Sequence, residues 1–123
     1  MSSCRAIVAL EAPFMSMVLA TILSDLTYEV VAKVNSGLNA IDAYRTYRPD
    51  LVFMDLILPD MDSADAILAI TNEFPDACII VCTSLGKQKE ILDALKCGAK
   101  DFVLKPFNMQ SIREVVQKSL TVR

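Results

Sequence analysis

The chain has 123 residues, room for one domain, and its 54% hydrophobic and 22% charged content excludes a disordered segment. A formal charge of −3 argues against nucleic-acid binding, which needs a basic face, and no apolar run approaches the roughly 18 residues of a membrane span. Histidine is absent, which removes Ser-His-Asp and Cys-His catalysis, histidine-bearing zinc sites and any phosphohistidine formed on this chain.

Two hydrophobic periods alternate along the sequence. Residues 6–10 form a short apolar run and are predicted as the first strand. Met15, Val18, Leu19, Ile22, Leu23 and Leu26 then recur at helical spacing, which predicts a helix over 14–26. Strands over 29–34, 51–55, 77–83 and 101–104 alternate with helices over 38–47, 63–74, 87–97 and 109–120. Pro49 and Pro75 follow the second and third helices, Gly98 is placed to cap the fourth, and Asp62 to cap the third. Five such units predict an α/β fold: a five-stranded parallel sheet, doubly wound, with helices on both faces. One domain then covers residues 1–123.

Cys4, Cys78, Cys82 and Cys97 lack CxxC spacing. Four steps along a strand separate two residues by roughly 13 Å, too far for a disulfide. Buried thiols in a reducing cytoplasm are therefore expected. The start, MSSCRAIVAL, is too short and weakly charged for a signal peptide.

In a parallel sheet, polar groups at the carboxyl ends of strands gather where the strand order reverses. Glu11, Asp55, Thr83 and Lys105 stand at or just beyond the ends of strands one, three, four and five. Asp55 is a candidate nucleophile toward phosphorus. Lys105 and Thr83 are candidate ligands of a phosphoryl oxygen, and Glu11 a metal ligand beside Asp55. Without a metal, Lys105 is expected to pair directly with Asp55.

EAPFM after the first strand, RPDLVFMDLILPDMDS around Asp55, IIVCTS at the fourth strand and GAKDFVLKPF at the fifth together resemble the receiver domains of response regulators, close to the single-domain chemotaxis type. The resemblance covers the whole chain. It implies a flavodoxin-like (βα)5 sandwich with strand order 2-1-3-4-5, and a phosphorelay function in which Asp55 accepts a phosphoryl group from a partner's phosphohistidine. It implies Lys105 and Thr83 in the acceptor site, Thr83 and Phe102 as the switch pair, and magnesium held by Glu11, Asp55 and the Ile57 backbone carbonyl. A cis bond is implied between Lys105 and Pro106. Partners would be a sensor histidine kinase or histidine phosphotransfer protein, and a downstream protein target. Contact through the first helix would place Phe14 and Met17 on the partner face, opposite the core stripe and beside Ser16, Thr21, Ser24 and Asp25. No nucleic acid, no membrane and no turnover beyond slow loss of its own phosphoryl group are expected, in a cytoplasmic protein.

Three positions depart from that pattern. Leu10-Glu11 stands where receivers carry two acids, and Ser63 where they carry glycine. With Leu10 neutral, Asp55, Glu11 and Lys105 sum to −1, so magnesium binding is expected to be weak. The rival reading is a pseudo-receiver, a protein-binding module that works without phosphorylation. A flavin-binding module would need a Ser/Thr/Gly-rich loop after strand one, which EAPFM lacks. A P-loop needs a glycine five before Gly86, and a dehalogenase-type phosphatase needs an aspartate at Ile57.

Overall fold

The computed structural model describes residues 4–121. Strands β1 (Arg5–Ala9), β2 (Glu29–Val34), β3 (Leu51–Asp55), β4 (Ile79–Thr83) and β5 (Asp101–Leu104) alternate with helices α1 (Pro13–Asp25), α2 (Gly37–Tyr47), α3 (Ser63–Glu73), α4 (Gln88–Lys96) and α5 (Met109–Thr121). The strands form one parallel sheet in the order β2-β1-β3-β4-β5.

Side-chain alternation along the central strands builds two cores. Ile7, Ala9, Val52, Met54, Ile79 and Val81 face α2, α3 and α4, where they meet Ala40, Tyr44, Ile67, Ile70 and Ala94. Ala6, Val8, Leu51, Phe53 and Ile80 face α1 and α5, meeting Leu19, Leu23, Ile112 and Val116. Each fully buried large aliphatic side chain is worth about 1.5–3 kcal/mol relative to exposure, so both faces are held by burial rather than by polar contacts. Leu10 continues the period of Ala6 and Val8 into the second core.

The helix ends follow local chemistry. Pro13 opens α1, the position where a missing N–H costs nothing. Ser36 accepts the Asn39 N–H at 3.1 Å to start α2. Asn108 accepts the Ser111 N–H at 2.9 Å to start α5. Gly98 closes α4 with a φ of 123°, and a Cβ there would lie 2.9 Å from Thr71 Cγ2, so both backbone sign and space demand glycine. The Lys105–Pro106 bond is cis.

Several expectations are corrected. Asp62 has extended backbone at the start of α3, but its side chain makes no capping bond; its carbonyl accepts from Asp65 and Ala66 instead. The acid that caps a helix is Asp60, which reaches back to α2 and accepts the Gly37 and Leu38 N–H groups at 2.8 and 3.0 Å. Ser16 is buried rather than on the open face of α1, because it lies one turn before Leu19 and two before Leu23 on the helix's inner side. Cys78 and Cys82 are buried as expected, but Cys4 and Cys97 are half-buried, at the ends of elements. No disulfide forms among the described residues.

Candidate functional site

Parallel pairing with a strand-order reversal between β1 and β3 leaves a crevice at the carboxyl edge of the sheet. Asp55 is the last residue of β3 and pairs in register with Cys82 on β4. Thr83 ends β4 opposite Leu104, and the chain leaves β5 one residue later at Lys105, whose N–H donates to the Thr83 carbonyl at 2.8 Å. Strand ends thus bring three functional side chains to one crevice. They border a cavity of about 220 Å³, with Glu11 and Ile57 on its rim.

Asp55 is buried to 6% exposure, which makes both of its carboxylate oxygens dependent on partners. Lys105 Nζ donates to Oδ1 at 2.6 Å. The Glu11 backbone N–H donates to Oδ2 at 2.8 Å. The first contact is the pairing expected from sequence. The second was not: Glu11 touches Asp55 through its main chain, while its side chain is exposed at the rim. Thr83 is buried and its hydroxyl donates to the Ser84 carbonyl at 3.2 Å rather than to Asp55.

Leu10 lies in the apolar core at 1% exposure, among Leu19, Leu23 and Phe53. The missing acid is therefore replaced by packing. Oxygen donors suited to a hard divalent cation remain: the Asp55 and Glu11 carboxylates and the Ile57 carbonyl, on a loop tied back by a bridge between Ile57 and Asp62. With one carboxylate fewer, these are the residues that would hold magnesium, and among the described residues no three acidic, cysteine or histidine side chains cluster as a metal site.

Cys82 also borders the cavity. Burial pushes its thiol far above the usual range, the negative charge of Asp55 adds to this, and Lys105 partly offsets it. The thiol stays protonated and cannot serve as a nucleophile beside Asp55.

Away from the cleft, Phe14 and Met17 project from α1 at 67% and 53% exposure. Phe102 is exposed on β5 beside a groove along α5 that includes Leu104 and Lys118. Ser63 is buried at the first turn of α3, its N–H donating to the Leu56 carbonyl at 2.9 Å. Lys87 borders the Asp55 cavity and was missed, because 87–97 reads as one helix. The signal lay in TSLGK, where Gly86 leaves the lysine on the loop after β4.

A family model described as response regulator receiver domain matches residues 7–117. The chain is 39% identical over 114 residues to the chemotaxis protein CheY of Thermotoga maritima, covering 93% of this chain and 95% of that one. It is 38% identical over 116 residues to the chemotaxis protein CheY of Bacillus subtilis, covering 94% and 97%. The signal receiver domain of NarL from Mycobacterium tuberculosis superposes with a TM-score of 0.92 over 100% of both chains at 22% identity. The receiver domain of sensor histidine kinase PA1611 from Pseudomonas aeruginosa, with magnesium coordinated in its active-site cleft, superposes with a TM-score of 0.87 at 24% identity, covering 98% and 99%.

Proposed function

This chain belongs to the response regulator receiver domain family, the phosphorylation-based signalling modules of two-component systems, and we propose that Asp55 is its phospho-acceptor. The observation that carries this reading is the 2.6 Å contact of Lys105 Nζ with a nine-tenths-buried Asp55 at the carboxyl edge of the sheet. A buried aspartate is destabilising unless paired; Lys105 supplies the pair, and the cleft leaves the carboxylate open to a phosphoryl donor.

Phosphoryl transfer asks the protein mainly for position and charge. Asp55 supplies the attacking oxygen from a fixed strand end. Lys105 then follows the negative charge onto the transferred group as a point charge, and Thr83 exchanges the Ser84 carbonyl for a phosphoryl oxygen by rotating its hydroxyl. Asp55, Glu11 and the Ile57 carbonyl would hold magnesium, which when bound neutralises charge on the phosphoryl oxygens. The donor histidine lies outside this sequence, which contains none.

Partner contacts follow from the exposed apolar side chains. Phe14 and Met17 stand exposed on α1, which begins just after the cleft residues Glu11 and Ala12, and suit docking of a histidine kinase or histidine phosphotransfer protein. Movement of Thr83 frees space behind it, and Phe102 on the adjacent strand responds by packing inward, which changes the α4–β5–α5 face shown to a downstream protein. No helix among the described residues is long and apolar enough to cross a membrane. The reading is tested by label transfer from a phosphorylated histidine phosphotransfer domain. Transfer giving a hydroxylamine-labile acyl phosphate is expected, and no transfer, or a hydroxylamine-stable product, overturns it.

A further inference from the structure

Two acids beside the acceptor aspartate and a single lysine, the receiver pattern, are not what borders this cleft. The cavity is bordered by two acids, Glu11 and Asp55, and two lysines, Lys105 and Lys87, which sum to zero. Only Lys105 is engaged with a carboxylate there; Lys87 is in none of the ion pairs among the described residues. The loop that carries Lys87 is not packed down. Leu85 is 80% exposed, and Gly86 has a φ of 91° with nothing within 4 Å of where a Cβ would stand. A four-carbon ammonium arm on such a loop reaches into the cleft at little conformational cost.

We propose that Lys87 is a second phosphoryl-binding cation, which closes on the group carried by Asp55 and, with Lys105, takes over part of the charge neutralisation that the missing acid would otherwise assign to a tightly held metal. The proposal rests on Asp55 being the phospho-acceptor. Converting the carboxylate to an aspartyl phosphate exchanges a charge of −1 for about −2. The cleft then moves from zero to about −1, within the range of two lysines. Without Lys87 the same step runs from −1 to about −2, the state that calls for a divalent cation. With acetyl phosphate as donor, the bond from phosphorus to the acetyl oxygen breaks as the bond to Asp55 forms. Acetate leaves with the electron pair, and neither lysine gains or loses a proton.

Lys87 is distinguished from the metal by measuring fluoroberyllate binding, with the analogue standing for the phosphoryl group on Asp55, in EDTA and in saturating magnesium. Loss of one charge-assisted bond at a partly exposed site predicts that Lys87→Gln weakens binding about tenfold in EDTA. The loss should shrink to about twofold with magnesium present, and Lys87→Arg should retain parental affinity. Equal affinity of Lys87→Gln and parent in EDTA overturns the proposal. So does an equal loss in both buffers, or no binding by the parent in EDTA when it binds with magnesium. An Asp55→Asn protein that binds as tightly as the parent would instead overturn the acceptor reading, a separate result from any seen with Lys87→Gln.

Discussion

Restoring the two acids by the double change Leu10→Asp and Glu11→Asp sets two measurable effects against each other. Leu10 is 1% exposed within the α1–α5 core, so replacing it forfeits about 2–3 kcal/mol of apolar burial. Shortening Glu11 withdraws its carboxylate by about 1.5 Å toward the position from which an aspartate ligates. A carboxylate that holds a metal-bound water is commonly worth about 10–100-fold in affinity, or about 1.4–2.7 kcal/mol. The double variant should therefore be less stable than the parent in EDTA by at least about 2 kcal/mol. At magnesium about 100 times its dissociation constant it should regain about 2.7 kcal/mol. At that same concentration the parent sits at only about 1–10 times its own constant and gains about 0.4–1.4 kcal/mol. Urea unfolding followed by backbone circular dichroism reads both, the chain having no tryptophan. If magnesium stabilises the parent as much as the double variant, the lost acid does not limit metal binding and the reasoning fails.

Three further outcomes are expected. Met17→Lys, at a 53% exposed position on α1, should weaken binding of the kinase or phosphotransfer partner at least several-fold with unchanged unfolding midpoint; equal affinity rejects the α1 docking face. Two backbone N–H bonds hold the Asp60 carboxyl below its ordinary 3.8, so its contribution to stability is present above that pH and lost as pH falls through the lower folded value. Asp60→Ala should thus be less stable near neutrality and show a flatter acid limb below about pH 4; superimposable limbs reject it. Fluoroberyllate on Asp55 should alter amide exchange over α4, whereas identical exchange with and without it excludes coupling through Thr83 and Phe102.

The sheet was legible because β1, β3 and β4 are covered on both faces and so read as continuous apolar runs. Where burial and pairing part company, the reading slipped. Ala77 and Cys78 are as buried as a strand yet precede β4, which starts at Ile79, and Arg5 is paired in β1 although it is not apolar. Leu10 reads as strand for the same reason, since it carries the core period one residue past the ladder. Asp55, Thr83 and Lys105 were found because strand ends announce themselves in sequence. Lys87 was not, since an amphipathic pattern says nothing of where the first turn begins. The Glu11 contact was also beyond reach, because a main-chain N–H leaves no trace in side-chain identity. Asp62 and Asp60 show the same limit: both precede a helix, and only the path of the loop decides which one caps, and which helix.

Intact mass after incubation with acetyl phosphate, in magnesium, is the most direct measurement of whether Asp55 accepts a phosphoryl group. The parent chain should gain the mass of one phosphoryl group, slowly, and lose it on treatment with hydroxylamine. Asp55→Asn should gain none under the same conditions. No gain by the parent at saturating magnesium, or an equal gain by Asp55→Asn, would contradict the assignment of Asp55 and return the chain to the class of receiver-like modules that bind partners without phosphorylation.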